Sequence, residues 1–160
     1  FDEFSRTISA SYNAADPVGA ARLINIDDER RPRVTSTMRL EVNQPGARAG
    51  DQQNDPGAGY FLQGYAAHYC GVPRAKDPEI VACSFIASGL RVFNISDPKR
   101  PREVAYFNKP APNTLPLKSG SYAMSAPTFD VKRQQVWFTD GDSGFYTVKL
   151  TNGAWPKTLR

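Results

Sequence analysis

The sequence predicts an all-β protein built from β-propeller blades, each blade a sheet of four short antiparallel strands. Three observations support this fold class. A segment of twelve residues recurs 69 positions later with seven identical residues. The 13 Pro and 12 Gly among 160 residues interrupt the chain too often for a mostly helical fold. Apolar and polar residues alternate over short stretches between turn signals, which is typical of strands.

The internal repeat defines the blades. Residues 22–33 (RLINIDDERRPR) align with residues 91–102 (RVFNISDPKRPR) at an offset of 69. A fainter third copy aligns residues 136–150 with residues 81–95 at an offset of 55 and shares a Ser-Gly turn. Repetition of one small unit is the sequence signature of a repeat architecture. About 2.5–3 blades are therefore expected, which leaves a propeller ring incomplete.

The expected strands fall into three units of one propeller domain. Residues 1–43 should form a partial blade, 64–107 a complete blade of four strands, and 121–160 the C-terminal blade. Residues 44–63 and the Pro-rich residues 108–120 are expected to be long loops. Individual strands are predicted at residues 7–12, 21–26, 34–42, 64–69, 79–85, 90–95 and 103–107, with three more across 122–150 and a candidate fourth at 153–157.

Composition excludes several classes of protein. The chain is 40% apolar and 11% aromatic, too rich in both for a disordered polypeptide. No apolar run approaches the roughly 20 residues that span a bilayer, so no membrane span is expected. The net charge of +4 is only mildly basic, and nucleic acid is not expected as a partner. A single His excludes a metal centre with several His ligands.

Two stretches resemble the LVIVD-repeat β-propellers. Residues 89–107 (GLRVFNISDPKRPREVAYF) are similar to a blade strand followed by the D-I-x-D-P-x-x-P turn of that family. Residues 125–140 (SAPTFDVKRQQVWFTD) resemble the inner strand and hairpin of the same blades. The segment from His68 resembles the region where the family places a Cys pair ahead of a repeat. The third copy lacks the Asp-Pro turn, and the first has Asp-Glu in its place.

The resemblance covers roughly residues 18–150 and implies an extracellular or envelope-associated propeller with little assigned chemistry. A closed propeller needs at least about four blades. The remaining blades are therefore expected from an N-terminal portion of the same polypeptide, either a separate chain or a missing segment. Self-assembly of identical copies into a ring is the alternative.

The two cysteines are candidates for a disulfide. If the strands that contain Cys70 and Cys83 are antiparallel neighbours, a hairpin places the two residues opposite each other. A bridge needs Cα atoms within about 7 Å of each other. The alternative is two buried free thiols. A redox or metal role is not expected, because the spacing is not C-x-x-C.

Three further side chains could contact a ligand in the central channel of a propeller. His68 is the sole imidazole and would lie on or just before an innermost strand, where it could act as a ligand contact or general base. Asp140 and Asp142 lie two apart in a Gly-rich loop and could hold Ca²⁺. No further acidic ligand follows them, so a glycine-rich hairpin turn is the alternative for the loop, and local hydrogen bonding is the alternative for the histidine.

Basic residues recur after the Asn-Ile end of the repeated strand. Arg31 and Arg33 in the first copy correspond to Arg100 and Arg102 in the second, so the four should share one edge of the fold and could bind an acidic polymer. A solvated basic turn is the alternative.

No catalytic motif is present: the chain lacks G-x-S-x-G, a Walker loop, G-x-G-x-x-G and HExxH. The sequence favours a secreted or envelope-associated binding scaffold without enzymatic activity and without a cofactor. Its possible ligands are a protein or an acidic polymer. The alternative is a metal-dependent propeller hydrolase or lactonase with its site in the central channel.

Overall fold

A computed structural model describes residues 19–40, 66–109 and 121–159. These residues form nine strands in three antiparallel sheets, which confirms the expected all-β class. The first sheet pairs β1 (Ala21–Asn25) with β2 (Arg33–Met38). The second sheet contains, in order, β3 (Cys70–Gly71), β4 (Ile80–Ser84), β5 (Leu90–Asn94) and β6 (Arg102–Phe107). The third contains β7 (Thr128–Asp130), β8 (Gln135–Asp140) and β9 (Gly144–Lys149).

The repeat seen in the sequence is also a repeat of backbone geometry. β1 and β2 lie 69 residues before β5 and β6, and the two hairpins share one register: Ala21 faces Met38 as Leu90 faces Phe107. Each hairpin also carries one register shift, at Leu23 in the first copy and at the equivalent Val92 in the second. Such a bulge bends and twists a strand, so both sheets have the same local shape.

The connecting turn repeats as well. The Asn25 side-chain oxygen accepts a 3.1 Å hydrogen bond from the Asp27 N–H, and Asn94 accepts an equivalent 3.0 Å bond from the Ser96 N–H. The next turn residue also repeats: Asp97 accepts a hydrogen bond from the Lys99 N–H, and Asp28 accepts the equivalent bond from the Arg30 N–H. Asn and Asp favour turns because their side chains can bond the backbone two residues ahead.

The third sheet repeats the strand pairing of the second at the predicted offset of 55 residues. Ile80 pairs with Asn94 in the second sheet, and Gln135 pairs with Lys149 at the equivalent positions of the third. The glycine of the shared Ser-Gly turn has a positive φ in both copies, 75° at Gly89 and 100° at Gly144. Only glycine adopts this backbone conformation readily.

The second sheet packs between the other two. All five residues of β4 are buried, because alternate side chains point to opposite faces and both faces are covered. The core shared with the first sheet consists of Ala21, Met38, Leu40, Ala67, Val81, Cys83, Phe85 and Phe93. The core shared with the third sheet consists of Ile80, Ala82, Leu90, Val92, Ala123, Val136, Phe138, Trp155 and Leu159.

Three strand predictions need correction or fall outside the described residues. The predicted strand at residues 153–157 is wrong: a 3₁₀ turn, Lys157–Leu159, follows an irregular segment there. The inner strand predicted at 64–69 lies partly outside the described residues, and within them the strand is β3, Cys70–Gly71. Just before β3, the Ala67 N–H donates to the Gly19 carbonyl and the His68 N–H to the Ser84 carbonyl. The predicted strand at 7–12 lies outside the described residues, as do residues 44–63 and 110–120. None of the described segments is a helix long and apolar enough to cross a membrane.

The Ser-Gly turn supplies a stability prediction with an internal control. Gly89 and Gly153 have nearly the same φ, 75° and 74°. A Cβ on Gly89 would overlap the Phe107 carbonyl, whereas a Cβ on Gly153 would meet no atom within 4 Å. Gly153→Ala should therefore cost only backbone strain, about 1–2 kcal/mol. Gly89→Ala should cost about 1–3 kcal/mol more, because backbone must move. Urea unfolding of both variants measures the difference, and equal losses would contradict the packing at Gly89.

Candidate functional site

Two of the predicted channel residues, His68 and Asp140, form hydrogen bonds with a segment between the second and third sheets. The short segment 122–125 lies between the ends of β4 and β8, and Ala123 forms β-bridges to both Ile86 and Asp140. The Ala123 N–H donates to the Ile86 carbonyl at 3.1 Å. The Ser84 hydroxyl donates to the Ser125 carbonyl at 2.6 Å. We call residues 122–125 the linking segment, because its backbone bonds connect the two sheets.

His68 packs against the linking segment. It is buried, and its Nδ1 lies 2.7 Å from the Met124 carbonyl oxygen. Because a carbonyl oxygen can only accept, Nδ1 donates in this contact and carries the proton. The imidazole also meets the Tyr69 ring edge to face, with 4.2 Å between the ring centres. This arrangement fixes the orientation of the imidazole through a residue 56 positions away in the sequence.

Asp140 accepts four hydrogen bonds with its carboxylate. Oδ2 accepts from the Tyr122 N–H of the linking segment at 2.6 Å. Oδ1 accepts from the N–H groups of Asp142 and Ser143, both at 3.0 Å, and from the Ser143 hydroxyl at 2.8 Å. Asp140 is only 3% exposed. The carboxylate therefore closes the β8–β9 turn and attaches that turn to the linking segment.

The loop forms a turn whose backbone N–H groups donate to Asp140. Asp142 is exposed, and it meets Asp140 through its backbone N–H. Among the described residues, no group of three or more His, Cys, Asp or Glu side chains is placed to hold a metal ion. The two carboxylates predicted as a calcium pair thus gain no third acidic ligand from the described part of the chain.

The Cys70–Cys83 disulfide expected from the strand placement is present. The two residues face each other in the β3–β4 ladder, with Cα atoms 4.0 Å apart. Cys83 is fully buried in the core that the first and second sheets share. The bridge attaches the short β3, which has only two residues, to β4, the most buried of the described strands.

The predicted basic residues lie at the turns that follow β1 and β5. Arg31, Arg33, Arg100 and Arg102 are all exposed. Arg100 pairs with Asp97 at 2.9 Å, and this hydrogen bond is the main cause that lowers the pKa of the Asp97 carboxyl from its usual 3.8. Asp97 is therefore ionised at neutral pH and offsets the charge of Arg100.

Arg102 lies where two surface clefts meet. One cleft, of about 390 Å³, also contains Arg100 and Asp97. The other, of about 540 Å³, also contains Arg39 of the first sheet and Phe93 of the second. The two sheets are linked here, since the Ser36 hydroxyl donates to the Pro98 carbonyl at 2.6 Å.

One arrangement in the second sheet was not predicted. The Arg91 side chain is 9% exposed, and its Nη1 forms a 2.9 Å ion pair with Glu103. Its Nε donates to the Ser88 carbonyl at 2.8 Å, and its guanidinium lies 4.8 Å from the centre of the Tyr106 ring. The only sequence signal was a charged residue within the alternating strand 90–95.

No protein-family model matches this chain, and no curated protein is significantly similar to it in sequence.

The disulfide should contribute measurable stability. It closes a loop with a sequence separation of 13 residues. In the chain-entropy model, such a loop is worth roughly 3 kcal/mol, mainly through restriction of the unfolded state. We expect the Cys70→Ala/Cys83→Ala variant to lose about that free energy of unfolding. Reductant should destabilise the wild type and leave the double variant unchanged. Alkylation of both thiols in unreduced protein would contradict the bridge.

Asp140 and Asp142 should differ sharply in their contribution to stability. Asp140→Ala removes the acceptor of four hydrogen bonds and leaves partly buried donors unpaired, which should cost about 1–3 kcal/mol. Asp142→Ala alters an exposed side chain and should change the free energy of unfolding by less than about 0.5 kcal/mol. Thermal unfolding with and without Ca²⁺ compares the two. A calcium-dependent gain in the wild type that both variants lose would contradict the structural role.

Proposed function

We propose that this protein is a β-propeller of the LVIVD-repeat kind that acts outside the cell or at the cell envelope as a non-enzymatic binding scaffold. The observation that carries the proposal is the repeated basic turn. The two copies, 69 residues apart, have the same strand register and the same bulge. They also have the same hydrogen bonds between turn backbone and Asn or Asp side chains. Successive sheets therefore display the same kind of basic side chains on the same rigid support.

The preferred ligand class is an acidic polymer. Arg33 and Arg102 are the first residues of β2 and β6 and are equivalent in the repeat. Within the described residues, neither guanidinium has a hydrogen bond or an ion pair. Arginine binds sulfate, phosphate and carboxylate groups through parallel hydrogen bonds. Two equivalent guanidiniums on adjacent sheets suit a ligand that carries repeated anionic groups, because linked contacts raise the overall affinity.

The structural roles of the other candidates agree with a binding function. His68 and Asp140, which a channel enzyme would use, hold the linking segment through hydrogen bonds to Met124 and Tyr122. The disulfide agrees with an extracellular or envelope location, since such bridges persist in oxidising compartments.

Charge reversal at the two equivalent arginines tests the proposal. Wild-type protein should be retained on a heparin column and elute at a salt concentration that screens the charges. Arg33→Glu/Arg102→Glu should elute at markedly lower salt, because two attractive contacts become repulsive. The measurement is the salt concentration at the elution peak, with circular dichroism to verify folding.

A matched pair of substitutions separates a specific surface from net charge. Lys132→Glu/Lys149→Glu alters two exposed lysines of the third sheet and its β7–β8 turn and changes the net charge by the same amount. This control should elute near the wild type. Equal shifts for both double variants would show that only net charge matters and would contradict a ligand surface at the basic turns.

A further inference from the structure

The two outer faces of the three-sheet stack carry exposed apolar side chains. We define the front face by Ile24 and Val34 of the first sheet and by Ile26, which follows β1; they are 51%, 56% and 62% exposed, respectively. Ile24 and Val34 are direct cross-strand partners, so their side chains form one continuous patch. We define the back face by Trp137 and Phe145 of the third sheet. Their rings meet edge to face with centres 6.1 Å apart, and Phe145 is 63% exposed.

The repeat shows what kind of surface covers a front face. The offset of 69 places Ile24 and Ile26 at the positions of Phe93 and Ile95 in the second sheet. Those two residues pack in the core that the second sheet shares with the first. Inside the chain, a front face is thus covered by the back face of the sheet before it.

The same comparison applies at the other end of the stack. The offset of 55 places Trp137 and Phe145 at the positions of Ala82 and Leu90. Both of these residues are buried in the core shared by the second and third sheets. A back face is thus covered by the front face of the sheet after it.

We propose that a second copy of this chain packs head to tail on the first, the back face of one copy on the front face of the other. Each copy presents both halves of a contact that it already makes twice internally, so a second copy supplies the matching surface at either end. The contact is heterologous, and such contacts form rings where the rotation closes. The described residues of one chain form three sheets, so those of two copies would supply six, within the roughly four to eight blades of closed propellers.

Single substitutions on the two faces test the head-to-tail contact, because each variant alone should lose it and a mixture of the two should restore it. Ile24→Glu blocks the front face and Phe145→Glu blocks the back face. Both side chains are more than half exposed, so both variants should fold. Wild-type protein should have a native mass of at least two chains of 17.7 kDa, and each variant alone should be monomeric. An equimolar mixture of the two variants should form a species with the mass of two chains, because one intact front face and one intact back face remain.

The control and the contrary outcomes are specific. Val72→Glu, at a 46% exposed aliphatic residue outside both faces, should retain the wild-type mass. Thr147 is exposed and is the cross-strand partner of Trp137 on the back face. Val34→Lys and Thr147→Lys replace the two test variants if circular dichroism shows that either is unfolded. A monomeric wild type would overturn the proposal, as would a mixture that stays monomeric. Loss of assembly in the front variant alone would indicate a front-to-front contact and would overturn it as well.

Discussion

The register of the β-hairpins determines which face of its sheet each side chain of the described strands occupies. A slip of one residue would exchange the two faces of a strand, so the cores on either side of the second sheet depend on it. The bulge at Leu23, repeated at Val92, shifts the register at the same point in both copies. It allows Asn25 and Asn94 to end their strands where their side chains can bond the following turn. Packing, turn geometry and the display of basic residues therefore follow from one feature of backbone pairing.

The parts of the fold that local patterns govern could be predicted from the sequence. β5 was predicted because its residues alternate between turn signals, and β4 because it is a short apolar run of strand-forming residues. The segment after Gly153 does not form the predicted strand. Trp155 instead packs in the core, and its ring N–H donates to the carbonyl of Leu159. The Leu159 N–H donates in turn to the Pro156 carbonyl, which closes a 3₁₀ turn. That contact depends on the presence of a completed core, which periodicity does not encode.

The candidate site was predictable as a set of residues but not as a set of roles. Residue type and spacing alone indicate His68 and Asp140 as candidates. Their roles come from the linking segment, whose Met124 carbonyl and Tyr122 N–H are far from them in sequence. A partner 56 residues away leaves no local signal. The disulfide was easier to predict from the sequence, because hairpin pairing is local and the two cysteines occupy directly opposed positions.

The arginines show how the same side chain acquires opposite roles from its place in the hairpin. Arg91 is the second residue of β5, where neighbouring strands remove water and Glu103 must compensate its charge. Arg102 begins β6 beside an open turn, where water solvates the guanidinium and no compensating group is needed. An unpaired cation is tolerable only in the second environment, and only there can it still bind an external anion. The strand position of each arginine, rather than the overall charge of the chain, therefore decides which of them can recognise a ligand.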